Sequence, residues 1–341
     1  MSVLVTGCTG FIAQYIVRDL LQQNYKVIGT VRSDAKGDNL KNLFNNNPSF
    51  VTEVVADIAA PSAFDHVFEK YSDEIKVVLH TASPFHFNAK DYEKELLIPA
   101  IHGTKSVLES IKKYSAQTVE RVVITSSIAA VKDPLKSADK NFVYDEDSWN
   151  PVTWESCQLN PQDAYRGSKK FAEQVAWDFL EENKGVLKYK MATVNPSMIF
   201  GPQLFDQNAT GVLNTSAEVI NSLLHSGPET DLSNLKNDFV DVRDVSRAHL
   251  LAFQMDETVG QRLGLSAGQF NGQDIAQILN ERFPQAQGTL PKVTGEGANK
   301  TEPYAKFDNS RTKKILGFDF KSLEETVYDT AAQILKVEGK V

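Results

Sequence analysis

Ser2-Val3-Leu4-Val5-Thr6-Gly7-Cys8-Thr9-Gly10-Phe11-Ile12-Ala13 is a short β-branched run, a glycine turn and the start of an amphipathic stretch reaching Gln23. Strand, glycine turn and helix in that order make the opening unit of a parallel α/β sheet. Gly7 and Gly10 let the backbone turn sharply and approach a pyrophosphate, whose charge is favoured by the free N–H groups at a helix start. Ala13 permits close helix–strand packing. The spacing is Gly-x-x-Gly-x-x-Ala rather than Gly-x-Gly-x-x-Gly, so a turn and cap with no ligand is the competing reading.

Outward from this turn the pattern repeats. Strands are predicted at Lys26–Val31, Phe50–Val55, Lys76–His80, Arg121–Thr125 and Lys188–Asn195, with the clearest helices at Phe11–Gln23, Pro99–Tyr114 and Pro161–Asn183. Alternation of this kind predicts an α/β fold, a Rossmann doubly wound parallel sheet with a smaller C-terminal substrate lobe. Residues 1–200 are expected to bind a dinucleotide, with return segments near 237–266, and 201–341 to form most of the substrate lobe. That tail is read as a helix at Leu213–His225, a strand at Phe239–Asp241, a helix at Val242–Gln254, a strand near Arg262–Ser266 and two later helices. The polar stretch from Val131 to Pro161 reads as a surface excursion.

The chain has 341 residues, a net charge of −8 and two cysteines, Cys8 and Cys157. Interspersed charge gives no field to draw nucleic acid or an anionic membrane, and no apolar run approaches the ~20 residues of a membrane span. Two cysteines do not staple a secreted scaffold, and the N-terminus lacks the pattern of a signal peptide. A cytoplasmic protein that captures any anionic ligand locally and needs no metal is expected, with a homodimer as one open oligomeric state.

At the end of the second strand stands Arg32, where an NAD enzyme usually carries an acid for the ribose hydroxyls. A guanidinium there suits a 2′-phosphate, with Lys36 one helical turn on as a second cation, and the bland alternative is a solvated pair. Asp57 and Ile58, past the third strand, are placed to meet an adenine ring. Tyr165-Arg166-Gly167-Ser168-Lys169 sets a phenol and an ammonium on one helix face. Such a pair occurs about once by chance in a chain this rich in Tyr and Lys, so its company decides. Thr125-Ser126-Ser127 ends the fifth strand, on the side where open α/β sheets hold ligands. Hydride delivery to a carbonyl builds charge on oxygen that a proton donor must meet. Tyr165 is expected to donate, Ser127 to bind the carbonyl, and Lys169 to lower the Tyr165 pKa and hold a nicotinamide ribose. Thr81 and Ala82 would let backbone approach the cofactor, His80 reads as a packed strand-end residue, and Pro196 lies in a rigid segment facing the carboxamide.

With these motifs in order, the chain resembles the extended short-chain dehydrogenase/reductases, in their dihydroflavonol-reductase-like branch. It is most similar to the fungal NADPH-dependent methylglyoxal/aldehyde (carbonyl) reductases, through Ser83-Pro84-Phe85, Trp149-Asn150-Pro151, Ser168-Lys169-Lys170-Phe171-Ala172-Glu173, Asp241-Val242-Arg243-Asp244-Val245 and the Asp308–Phe318 segment. The resemblance implies NADPH/NADP contacts at Gly7, Cys8, Thr9, Gly10, Phe11, Ile12, Arg32, Lys36, Asp57, Ile58, Tyr165, Lys169, Ile199 and Ser216. It also implies a substrate pocket of Phe85, Ile128 and Met198. Relatives often carry aromatics at the last two positions, so Ile128 and Met198 are departures that leave substrate size and stereochemical preference open. The alternatives are a nucleotide-sugar epimerase or dehydratase that retains NAD, against which Arg32 speaks, and an NADP-sensing protein without turnover.

Overall fold

Val3, Leu4 and Val5 have no exposed surface, as strand residues must when helices cover both faces of a sheet. The computed structural model describes residues 1–83, 89–211, 213–286, 288–293 and 304–340. Within them run β1 (Ser2–Thr6), α1 (Phe11–Gln22), β2 (Lys26–Val31), α2 (Asp34–Leu43), β3 (Phe50–Val54), α3 (Asp65–Lys70), β4 (Ile75–His80), α4 (Ile98–Tyr114) and β5 (Arg121–Thr125). After these come β6 (Val143–Tyr144), α5 (Pro161–Glu182), β7 (Lys190–Pro196), β8 (Met198–Phe200), α6 (Thr215–Leu224), β9 (Lys236–Asp241) and α7 (Val242–Gln254). The chain continues through β10 (Arg262–Leu265), β11 (Gly268–Asn271), α8 (Gly272–Arg282), β12 (Lys306–Phe307), α9 (Ser310–Leu316) and α10 (Leu323–Val337).

Seven strands form the main sheet in the order β10-β7-β5-β4-β1-β2-β3. The pairs β1–β2, β2–β3, β1–β4, β4–β5 and β5–β7 are parallel. This is the doubly wound arrangement, and the chain reverses its direction of travel between β1 and β4. Ligands of such sheets bind outside the carboxyl ends of the strands at that switch point, which here means Thr6–Gly7 and His80–Thr81.

Met1–Lys136, Tyr144–Asn195 and Ser246–Gly264 make one compact unit, and Ser137–Val143, Pro196–Val245 and Leu265–Val341 a second. In the first, Phe64, Phe68, Val107, Ile111 and Phe179 from the helices close over Leu4, Val78 and Val122 of the sheet. In the second, Phe200, Phe239 and Phe270, one from each strand of the sheet β11-β9-β8, cluster with Ile275, Leu279 and Val327. The sequence reading returned the strand near 239 to the first domain. The structure places it in the second unit, where β9 pairs with β8 and β11.

Other differences have local causes. Three helices follow β11 rather than two, because Ser310–Leu316 is only seven residues long and too short for its periodicity to show. Pro99 lies in the first turn of α4, but the preceding Glu93–Leu97 is already wound as a π-turn. The stretch after Val131 is not wholly a surface excursion. Asn150 is completely buried, its Nδ2 donating to the Ala129 carbonyl while its Oδ1 accepts from Val152 N, so the side chain replaces missing backbone pairing.

Candidate active site

The glycine turn owes its shape mainly to Gly7. Its φ is +66°, and a Cβ there would lie 2.9 Å from the Ala82 Cβ and 3.0 Å from its Cα. Gly10 is extended, at φ −73°, so its freedom is not conformational. Instead its N–H closes the turn onto Gly7 O at 2.9 Å, and it offers no side chain to cap α1. The first-turn N–H groups at Phe11 and Ile12 are thus left for a ligand. Gly7→Ala is expected to weaken dinucleotide binding, measured by titration, and to cost about 1–2 kcal/mol in thermal unfolding, because a left-handed Cβ and the clash with Ala82 act together.

The Cys8 side chain turns away from the ligand side of the turn. Its side chain is buried under β2, donating to Thr30 O at 3.3 Å, and its Sγ lies 2.6 Å from where a Gly29 Cβ would be. Burial pushes the thiol pKa up to about 12. Only the Cys8 backbone can face a ligand. Thr9 presents its carbonyl to Gln14 Nε2 at 2.8 Å, which steadies the turn.

Behind the turn, Thr6 locks β1 to the end of β4. Its hydroxyl accepts from Thr81 N and Ala82 N, each at 3.1 Å, so its single proton points to His80 Nδ1 at 2.9 Å. That assignment puts the His80 proton on Nε2. Burial, reinforced by the Lys169 charge, drives the His80 pKa down to about 3, so the ring is neutral. His80 is a structural residue, and through Thr6 it fixes the small pair Thr81–Ala82 against Gly7.

Arg32 and Lys36 are exposed, and neither has a hydrogen-bond or ion-pair partner among the described residues. Asp57 is exposed and accepts from Ala59 N at 2.9 Å. Ile58 is half-buried and packs against the core under β1 and β4, its Cδ1 only 2.7 Å from where a Gly103 Cβ would be. Its buried part thus supports α4, and the rest of the residue is exposed.

Tyr165 and Lys169 occupy one face of α5, a helix started by Asn160, whose side chain accepts from Asp163 N, with Pro161 in the first turn. Ser127 leaves β5 as the cap of a short 3₁₀ turn, its Oγ accepting from Ala129 N at 3.1 Å. Tyr165 Oη donates to the same Oγ at 3.4 Å. Phenol and serine hydroxyl therefore converge on one point at the carboxyl end of β5. Ile128 stands beside them, 7% exposed.

The electrostatics differ from the expectation in one respect. Burial raises the Tyr165 pKa, with the Ser127 hydrogen bond pulling the other way. Burial instead lowers Lys169 to about 8 against the upward pull of Glu173. Tyr165 is accordingly a firmly protonated phenol at neutral pH, and Lys169 is the group that titrates first. No hydrogen-bond or ion-pair partner holds the Lys169 ammonium among the described residues.

In the second unit, Ser216 Oγ donates to Ile199 O at 2.6 Å, which joins two residues implied only by resemblance. Ile199 and Met198 lie in β8, a strand where a rigid loop was expected, and Met198 packs partly on the core of that unit. Beside Pro196, the Ser197 Oγ is buried with no partner among the described residues. Phe85 lies outside the described residues. The reading of the sequence passed over Glu173 and Arg262, both buried in the first unit. The signal was a carboxylate one turn beyond Lys169.

An uncapped helix start over a left-handed glycine, two unpartnered exposed cations and an unpartnered half-buried ammonium fit a dinucleotide carrying an extra phosphate. Comparison with known proteins agrees. Residues 3–264 match the NAD dependent epimerase/dehydratase family. The NADPH-dependent methylglyoxal reductase GRE2 of Saccharomyces cerevisiae is 54% identical, with 100% of each chain covered. A putative NADPH-dependent methylglyoxal reductase of Candida albicans is 44% identical over 98% of each chain. The crystal structure of yeast methylglyoxal/isovaleraldehyde reductase Gre2 complexed with NADPH superposes with a TM-score of 0.98, at 54% identity and with 100% of each chain covered.

Proposed function

The chain belongs to the NAD dependent epimerase/dehydratase family, the extended short-chain dehydrogenases/reductases, and from that premise we propose that it is an NADPH-dependent reductase of aldehydes and ketones of the methylglyoxal kind. The observation that carries the reading is the convergence of Tyr165 Oη on Ser127 Oγ, 3.4 Å apart, at the strand end where such sheets bind ligands. The first unit is assigned the cofactor, through the Gly7–Ile12 turn, Arg32, Lys36, Asp57, Ile58, Thr81 and Ala82. Pro196, Ile199 and Ser216 are assigned to the cofactor as well. Phe85, Ile128 and Met198 are assigned to substrate.

When bound, NADPH supplies the hydride that reduces the carbonyl carbon. Ser127 Oγ orients the carbonyl oxygen, and Tyr165 Oη donates its proton to that oxygen as negative charge builds there. The raised Tyr165 pKa suits this direction, since the donor is protonated when substrate arrives. Lys169 presents an ammonium to the ribose and to the phenolate that Tyr165 becomes, and solvent then restores the proton.

Mixing the protein with NADPH and methylglyoxal, while following nicotinamide absorbance, tests the reading. Steady oxidation is expected. Bound NAD released on denaturation, with no NADPH turnover, would mark a nucleotide-sugar epimerase or dehydratase, and NADPH binding without turnover a sensor. A cytoplasmic setting belongs to the same reading, supported by two buried free cysteines and by the lack, among the described residues, of a helix long and apolar enough to cross a membrane. So does a homodimer, which light scattering would detect.

The pH dependence follows from the two shifts. Lys169 is charged below about 8 and neutral above it, whereas Tyr165 keeps its proton beyond its ordinary value. As pH rises, kcat/KM is expected to fall first through loss of the Lys169 charge. Lys169→Arg, whatever its absolute rate, should lack that limb, because a guanidinium stays charged. An unchanged limb in this variant would assign it to another group.

A further inference from the structure

Glu173 lies one helical turn beyond Lys169 on α5, and its side chain has no exposed surface. Its Oε1 accepts from Arg262 Nε at 2.6 Å and from Trp177 Nε1 at 3.3 Å. Its Oε2 accepts from Ser126 Oγ at 2.5 Å and from Asn195 Nδ2 at 2.7 Å. A carboxylate has about four acceptor positions, and these four residues fill them, Arg262 Nη2 adding a longer contact to Oε2 at 3.5 Å. Thr193 Oγ1 stands 3.3 Å from Oε1 but spends its one proton on Asn195 Oδ1 at 2.8 Å, which turns the amide nitrogen of Asn195 toward the carboxylate. The same Asn195 nitrogen reaches Ser127 O at 3.3 Å. Arg262 is itself held, donating to Glu146 O at 2.8 Å and Ser148 O at 2.6 Å, with its guanidinium carbon 3.8 Å from the centre of the Trp149 ring.

A fully bonded carboxylate thus ties together the ends of β5 and β7, the edge strand β10 and the helix bearing Tyr165 and Lys169. Ser126 turns toward this hub while its neighbour Ser127 turns toward Tyr165, as successive residues of an extended chain must. We propose that the buried Glu173–Arg262 pair is a positioning device for the reaction, in which Glu173 fixes the Ser127 backbone through Ser126 and Asn195 and sustains the charge of Lys169 from the next turn of α5. An ion pair so deeply buried is weak evidence for stability, since desolvation offsets the attraction. A positioning role accounts for a charge there where an apolar residue would pack.

Few other groups compete for Lys169. From β4 it faces His80, which is neutral, and on its own helix Tyr165, which is protonated. The 3₁₀ turn Ser156–Gln158 offers Cys157, a thiol raised to about 11 by burial. Ile128–Ala130 carries no ionisable side chain; of the ionisable residues of α4, His102, Lys105, Glu109, Lys112 and Lys113 are exposed, and half-buried Tyr114 donates to Asp65. In the Glu93–Leu97 turn, Lys94 pairs with Asp91 and Glu95 accepts from the backbone of Lys90 and Asp91, leaving Glu93 half-buried.

The inference rests on the reductase reading of Tyr165, Ser127 and Lys169, so its test has a readout that needs no turnover. Competitive acetylation of the cofactor-free protein by acetic anhydride across pH 6 to 10, on the order of the range around the Lys169 midpoint, followed by mass spectrometry of the Lys169 peptide, gives that midpoint directly. Glu173→Gln is expected to lower it by about one unit and to shift the alkaline limb of kcat/KM by the same amount, since a nearby opposite charge favours the ammonium. Glu173→Asp, which keeps the charge, should restore most of the shift. Because Glu173→Gln leaves Arg262 buried without its partner, the double variant Glu173→Gln/Arg262→Gln, with no buried charge unpaired, is measured alongside and should show the same lowered midpoint.

A folded Glu173→Gln or double variant with the wild-type midpoint and pH profile overturns the proposal. So does failure of the double variant to fold, which would make the hub a requirement of the fold itself. Failure of the reductase reading looks different: no NADPH oxidation in the wild type, with the Lys169 midpoint still responding to Glu173.

Discussion

Tyr165→Phe is expected to lower kcat by about 10²- to 10⁴-fold, the usual worth of a positioned general acid, while NADPH is still bound. The substitution removes one hydroxyl and leaves the ring. That hydroxyl donates to Ser127 Oγ across a long 3.4 Å, and Ser127 keeps its bond from Ala129 N at 3.1 Å, so unfolding should shift by no more than about 1 kcal/mol. The variant therefore separates chemistry from folding. On the proposed reading the Gly7–Ile12 turn and Lys169 capture most of the cofactor, so quenching of protein fluorescence by NADPH should remain. A variant that turns over at the wild-type rate would mean that the proton comes from elsewhere. One that no longer binds NADPH would mean that the phenol holds the cofactor rather than the substrate.

The sequence carried the sheet because its central strands are largely buried β-branched runs separated by glycine and proline punctuation. Lys26–Val31 and Arg121–Thr125 have the predicted bounds, since a parallel strand covered on both faces admits little but apolar residues. Helix α2 is not among the clearest helices of the sequence because Asp34–Leu43 is polar, contains Gly37 and buries only Gly37 and Leu40, so it has almost no apolar stripe. Gly37 is there for packing: a Cβ at that position would lie 2.7 Å from Thr52 Oγ1.

Among the candidate site residues, those set by local spacing were legible. Tyr165 and Lys169 share a helix face, and the turn at Gly7 is continuous with its strand. What spacing could not convey was direction and environment. Cys8 belongs to the turn, yet its side chain points into β2. Tyr165 and Lys169 are four apart, yet burial, a property of the assembled unit, governs their ionisation. The Glu173 hub was invisible for the same reason: its donors come from Ser126, Trp177, Asn195 and Arg262, whose meeting depends on the order of β5, β7 and β10 in the sheet.

On the proposed reading, cofactor preference turns on one exposed guanidinium. Arg32 follows β2, whose residue Gly29 pairs with Val5 of β1, so it stands beside the glycine turn at the carboxyl edge of the sheet. Lys36 lies in the first turn of α2. Neither is committed to a carboxylate among the described residues, so binding a phosphate breaks no ion pair. Charge-assisted bonds to phosphate are worth about 1.5–3 kcal/mol, while a bare ribose hydroxyl gives these cations little. NADPH should therefore be preferred over NADH, through KM more than kcat. Arg32→Asp should raise the KM for NADPH by about 10- to 100-fold, the same energies expressed as a ratio, and lower that for NADH, because the carboxylate repels a 2′-phosphate and accepts from a diol. Lys36→Ala should cost less, since an ammonium on a flexible stem lacks the planar fork of Arg. Salt should weaken NADPH binding more than NADH binding, as an exposed ionic contact is screened within about 10 Å at 0.1 M. Fold and stability should not change, both side chains being solvated, so melting temperature serves as the internal control. An Arg32→Asp variant that still favours NADPH would show that the 2′-phosphate is read by other groups.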